Sequence, residues 1–189
     1  MRLGHAGLNV ADPDAAFDWY QAHFGILKSD SVAIGDFALA HFCRCDRGGE
    51  HTDHHSFLLV RSMDGSTGLN HVSYEVGDLD DVWTGHHYLA ERGHRHSWGI
   101  GRHMLGSQIF DYWRDPWGQI HEHYTDGDLL DASHHYGVHS IEDSGSQWGP
   151  EMPADFGRTV PVSAGEPRDV ERGGCADAPR NEISQGAIR

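Results

Sequence analysis

The sequence predicts an α+β fold in which two βαβββ modules share one open barrel, followed by an irregular C-terminal extension. Three observations predict it. His5, Val10, Asp12 and Asp14 recur 66 positions later as His71, Val76, Asp78 and Asp80. Each copy leads from an alternating apolar stretch into an amphipathic, aromatic-bearing helical stretch and then into further strand patterns. After Asp128 the large apolar residues thin out and Gly, Pro, Ser, Asp and Glu take over. A repeated supersecondary unit that cannot bury its sheet face alone must bury it against its twin.

Taken in order, Leu3–Val10 alternates as a strand, and Ala11-Asp12-Pro13-Asp14 forms a turn that enters a helix. Asp12 suits the N-cap and Pro13 the first helical position. Phe17, Tyr20 and Phe24 carry the helical spacing, and Gly25 stops it. Strands follow over Ile26–Asp30, over Val32–Cys43 with a turn at Gly35-Asp36, and over His54–Val60. The second copy repeats the plan, with a helix from Asp80 to about Glu91 ended by Gly93. Its strands are Arg95–Trp98, Gly106–Arg114 and Gly118–Tyr124, the last two joined by the turn Asp115-Pro116-Trp117-Gly118. These stretches divide the chain into a domain over 1–130 (module one 1–62, module two 68–130) and an extension over 131–189. Trp148 and the segment Met152–Phe156 are expected to dock on the domain surface or on a neighbouring subunit, and the tail beyond about Gly157 to be poorly ordered.

The bulk properties exclude several functions. A net charge of −15 leaves no basic footprint for nucleic acid or an anionic membrane face. No apolar run approaches the ~20 residues of a membrane-crossing helix, and a strand pattern stands where a signal peptide would, so the expected compartment is the cytoplasm. Cys43, Cys45 and Cys175 form an odd, sparse set that suits neither a disulfide framework nor a cysteine zinc site. Exposed strand edges and tryptophan-rich ends point to a homo-oligomer.

Seventeen histidines are dispersed along the chain, and most must be surface or supporting residues. Two of them, His5 and His71, occupy identical repeat positions and would approach a shared axis from opposite sides. Glu122 sits on the last strand of module two, whose counterpart in module one falls near His54 and His55. Two histidines and one carboxylate at strand positions make the facial set associated with non-haem Fe(II), which leaves coordination positions open. His121 and His123 fall on the strand face opposite Glu122. His86, His87, His94, His96, His134, His135 and His139 are expected to face solvent.

Three stretches resemble the vicinal oxygen chelate superfamily, and within it the type I extradiol ring-cleaving dioxygenases. They are Leu3-Gly4-His5 with its Asp-Pro-Asp helix start; Asp46-Arg47-Gly48 followed by Asp53-His54-His55-Ser56-Phe57-Leu58; and the series Asn70-His71, Gly101-Arg102-His103, Phe110-Asp111-Tyr112, Asp115-Pro116 and Glu122. The resemblance spans roughly residues 3–130. It implies His5, His71 and Glu122 as Fe(II) ligands, with Mn(II) the lesser choice. It implies His54, His103 and Tyr112 as the residues that act on the bound substrate. The family pattern places its histidine first in the pair, which selects His54 over His55, and strand alternation agrees because His54 shares the face of residue 56. The substrates implied are a catechol and O2, opened to a semialdehyde, and the single pair of modules is similar to L-DOPA 2,3-dioxygenases. Arg102 is a candidate source of positive charge nearby. The same superfamily also contains fosfomycin-type thiol transferases, glyoxalases and metal-free binding proteins, which the triad by itself does not separate.

Overall fold

The computed structural model describes residues 1–157. In chain order the elements are β1 (Arg2–Val10), α1 (Pro13–Phe24), β2 (Leu27–Ile34), β3 (Phe37–Arg44), β4 (Thr52–Asp53), β5 (Phe57–Arg61), β6 (Gly68–Glu75), α2 (Leu79–Glu91), β7 (Arg95–His103), β8 (Ile109–Arg114), β9 (Ile120–Thr125), β10 (Leu129–Leu130), β11 (Gly137–His139) and β12 (Ser146–Trp148).

Both helices start where the repeat places an aspartate. The Asp12 side chain accepts from the backbone N–H groups of Asp14 and Ala15, and the Asp78 side chain from that of Asp81. Each such cap stabilises its helix by about 1 kcal/mol. Gly25 ends α1 in the left-handed conformation, φ 66°, where a side chain would be strained. Beneath α1 a core forms from Phe17, Ile26, Cys43 and Leu59, with Leu8, Val10, Tyr20 and Phe57 against it. Module two has its own cluster of Trp98, Phe110, Tyr112 and Ile120.

Ten strands form one mixed sheet in the order β11-β2-β3-β5-β1-β6-β9-β8-β7-β12. Each module places its first strand parallel to its last, β1 with β5 and β6 with β9, and the antiparallel β1–β6 pair is the seam between modules. This is the α+β vicinal oxygen chelate fold. Register then brings separated residues into one cross-strand row: His5 opposite Ser73, Ser73 opposite Glu122, and Glu122 opposite Tyr112. Directly paired residues share a face, so all four side chains project the same way.

The extension ties itself to both ends of the sheet. Strand β11 adds parallel to β2 and β12 antiparallel to β7, covering two edges that would otherwise be free. The buried Arg44 guanidinium donates to the carbonyls of Asp131 and His134, and the Trp98 indole to that of Pro150. Phe156 packs edge-on against Trp98 and Tyr112, whereas Trp148 remains 44% exposed. The expected poorly ordered tail, Cys175 included, lies outside the described residues. Among those residues no helix is long and apolar enough to cross a membrane.

Candidate functional site

The row of paired residues ends in a tight cluster of donor atoms. His5 Nε2 lies 3.1 Å from His71 Nε2 and 3.1 Å from Glu122 Oε2, and His71 Nε2 lies 3.8 Å from the same oxygen. All three side chains are buried. Gly7 makes the approach possible: it pairs with His71 across the seam, and a Cβ there would stand 2.6 Å from His71 Cε1.

The protonation states suit a cation. Burial pushes His71 down to about 3 and His103 to about 4, so both are neutral near pH 7. Burial alone would raise the Glu122 carboxyl, but the hydrogen bond from His5 and the nearby imidazoles outweigh it and hold it at about 2. Neutral imidazole nitrogens and an ionised carboxylate are what metal ligation requires.

The tautomer of His71 is forced from a distance. Asn9 Nδ2 donates to the carbonyl of Gly157, so Asn9 Oδ1 must accept from Asn70 Nδ2. Asn70 Oδ1 then faces His71 Nδ1 at 2.7 Å, and only an N–H there satisfies both atoms. The lone pair is left on Nε2, in the cluster. This support for a ligand, along with Ser73, was missed in the sequence. Ser73 Oγ donates to Glu122 Oε2 and lies 2.8 Å from His5 Nε2. Alternation along β6 was the available signal, since Ser73 is two residues from His71.

Of the remaining expected site residues, His103 and Tyr112 reach the same place: His103 Nε2 lies 3.0 Å from the Tyr112 hydroxyl and 3.9 Å from Glu122 Oε1. Burial, reinforced by the Glu122 charge, pushes the Tyr112 phenol well above its usual range, so it stays protonated. His54 does not face the cavity. His55 does, with its ring centroid 4.0 Å from that of His5. Strand alternation fails here because residues 54–56 form a bend between β4 and β5, held by the backbone bond from His54 to Asp128. His54 instead turns away from the cavity and stays buried, placing Nε2 2.9 Å from Asp30 Oδ2 and Nδ1 3.0 Å from His55 Nδ1. The Asp30 carboxylate can only accept, so with His54 neutral its Nε2 carries the proton and its Nδ1 accepts from His55. His55 Nε2 is thereby left bare. Burial, followed by the neighbouring imidazoles, holds His55 well below the ordinary histidine value. Arg102 points away, bound to Asp126 and to the carbonyl of Ser107.

These groups occupy one end of a cavity of about 340 Å³. Val32, Leu39, Phe42 and Leu58 wall it from module one, Trp98 and Leu105 from module two, and Met152 and Phe156 from the extension. Among the described residues no lysine, arginine, aspartate or glutamate lines this apolar wall. Such a space accepts a flat ring with its polar edge toward the donor cluster.

The family profile described as the glyoxalase/bleomycin resistance protein/dioxygenase superfamily matches residues 2–122. The chain belongs to that superfamily. Among curated relatives, metapyrocatechase 2 of Cupriavidus necator is 36% identical over 161 residues, covering 84% of this chain and 48% of the relative. A solved halotolerant catechol dioxygenase is 25% identical with a TM-score of 0.69, over 84% of this chain and 50% of that one. The Mn(II)-bound glyoxalase from Novosphingobium aromaticivorans is also 25% identical, with a TM-score of 0.66, over 84% and 53% of the two chains. This superfamily member therefore spans about half the length of these relatives.

The donor set fits a divalent metal. His5, His71 and Glu122 place one donor atom each within 4.8 Å of the others, and Glu122 Oε1 is buried without a hydrogen-bond partner. A 2-His-1-carboxylate set suits Fe(II) or Mn(II).

Proposed function

We propose that this chain carries the ring-opening site of an extradiol catechol dioxygenase, with His5, His71 and Glu122 holding Fe(II), or Mn(II) as the lesser choice. The observation that carries this reading is the convergence of three more groups, His55, His103 and Tyr112, on the donor cluster at the end of an apolar cavity. Glyoxalase or thiol-transfer chemistry needs the metal set but does not call for that combination.

When bound, the ion supplies a Lewis-acidic, redox-active centre at which a catechol and O2 meet. The protein's own groups divide the remaining work. The bare Nε2 of His55 accepts a proton from a catechol hydroxyl and returns it later in the reaction. Tyr112, kept protonated by burial, donates a hydrogen bond to a substrate oxygen as charge builds there. His103, bonded to the Tyr112 hydroxyl, fixes that phenol and offers a second polar contact. Val32, Leu58, Trp98 and Phe156 hold the ring and exclude water, so the reacting groups meet in a fixed geometry.

The sequence favours L-DOPA as substrate, but the cavity wall supports a neutral catechol over it. An amino-acid tail brings an ammonium and a carboxylate, and the described lining offers neither a counter-charge. The cytoplasm remains the expected compartment. Exposed Trp19, Phe24, Trp83 and Trp117 support the homo-oligomer.

The test is oxygen uptake by protein reconstituted anaerobically with Fe(II) or Mn(II). Catechol, 3- and 4-alkylcatechols and L-DOPA are supplied under air, with a yellow ring-fission product followed by absorbance. Turnover should be highest on the neutral catechols. No oxygen uptake on any catechol, together with glyoxalase or thiol-transferase activity, would reverse the assignment.

A further inference from the structure

We propose that His86, His96 and Asp111 form a second metal site, on the opposite face of the sheet from His5, His71 and Glu122, which takes a zinc-class divalent ion and clamps α2 onto β7 and β8. The placement follows from strand geometry. Tyr112 faces the cavity, so its neighbour Asp111 faces the other way, under α2. His86 comes from α2 and His96 from β7, and the three elements meet at one carboxylate.

Asp111 Oδ1 lies 2.8 Å from His96 Nε2, and its two oxygens lie 3.2 and 3.1 Å from His86 Nδ1. One donor atom from each residue falls within 4.8 Å of the other two, as in the cavity cluster. The Trp113 indole donates to Asp111 Oδ2 at 2.5 Å. That bond orients the carboxylate, keeping Oδ1 within reach of both imidazoles, the usual support for a ligating carboxylate.

The charge balance points the same way. Asp111 is fully buried, yet among the described residues neither lysine nor arginine forms an ion pair with it; its only ion-pair partners are the two imidazoles. A carboxylate removed from water needs positive charge beside it. A divalent ion between the three donors supplies that charge. Two imidazoles and one carboxylate select a zinc-class ion over the hard cations that prefer all-oxygen sites. The His86 and His96 side chains are 25% and 34% exposed, so an ion can enter from the surface with water completing its coordination.

The experiment is equilibrium dialysis of chelator-stripped protein against Zn(II), with metal counted per chain in wild type, His71→Ala and the His86→Ala/His96→Ala double variant. Far-UV circular dichroism checks that each is folded. Wild type should hold one equivalent more than the double variant, and His71→Ala should retain that equivalent. Zinc at about a hundredfold over its Kd should also raise the Tm of His71→Ala by about 5–10 °C. Equal zinc content in wild type and the double variant overturns the proposal. Loss of zinc in the double variant but none in His71→Ala leaves it standing and overturns the cavity cluster as a metal site.

Discussion

His54 and His55 are neighbours in the chain, yet their rings stand at 88° with their Nδ1 atoms 3.0 Å apart. One ring belongs to the cavity and the other to the wall behind it. His55 Nε2 is bare because the His55 proton sits on Nδ1 and is donated to His54 Nδ1, which can accept because Asp30 accepts from the far nitrogen of His54. A bare imidazole nitrogen facing the cavity is thus set up by a carboxylate two residues removed from it in the hydrogen-bond chain.

This arrangement predicts unequal losses from the two histidines. His55→Ala should retain metal and lose about 10²–10⁴-fold in kcat, the usual contribution of a positioned acid–base group. His54→Ala should lose only about 10-fold to 100-fold, because it misplaces the acting group without deleting it. Steady-state oxygen uptake, with metal content measured on the same samples, checks both. The reverse ranking would return the acting role to His54.

Metal retention should follow the ligands and then their supports. Glu122→Ala removes the only anionic donor of the cavity cluster and should leave that cluster without tightly held iron after desalting. Asn70→Ala frees the His71 tautomer and should weaken metal affinity by about 10-fold to 100-fold. Competition with a chelator of known affinity measures the second effect. Unchanged affinity in Asn70→Ala would show that the relay from Gly157 through Asn9 does not set His71.

Gly7→Ala should act on the same ligand by crowding. The added Cβ would meet His71 at 2.6 and 2.7 Å, closer than van der Waals contact allows, so the imidazole must tilt. Overpacking of this kind costs about 1–3 kcal/mol in stability. Metal affinity should fall by more than it does in Gly49→Ala, a glycine with open space around it. Equal affinity in the two variants would argue that the seam flexes enough to absorb a methyl group.

The donor set was legible in the sequence because the repeat is a statement about register. His5 and His71 at equivalent positions approach the seam of two equivalent modules from opposite sides, whereas Glu122 was singled out by the family resemblance, strand parity on β9 only setting aside its neighbours His121 and His123. The choice between His54 and His55 was not legible, since parity holds only along a paired strand and the bend after β4 breaks it. Histidines expected to face solvent proved engaged for a similar reason. His86 and His96 find Asp111 only once α2 packs on the sheet, and His139 finds Asp30 only once β11 joins β2. Such contacts depend on tertiary approach and leave no period in the sequence. The forced tautomer of His71 depends on Gly157, a backbone carbonyl in the extension that no side-chain pattern reports.

Asp30 offers a pH-dependent test of that tertiary layer. Its carboxylate lies 2.9 Å from His54 Nε2 and 2.7 Å from His139 Nε2, joining the cavity wall to β11. Burial works to raise its pKa, but the hydrogen bonds from the two imidazoles win and hold it below 3.8. A depressed carboxyl favours the folded state wherever the unfolded carboxyl is already ionised. Its contribution is therefore complete well above pH 3.8 and lost as pH falls through the lower folded value. Asp30→Asn should cost about 1.5–3 kcal/mol at pH 7, typical of a hydrogen bond to a charged group. The gap between the metal-free wild type and variant should narrow in urea titrations at pH 3. A gap of equal size at both pH values would mean that the carboxylate contributes through shape and neutral hydrogen bonding, and that its charge does not hold β11 to the cavity wall.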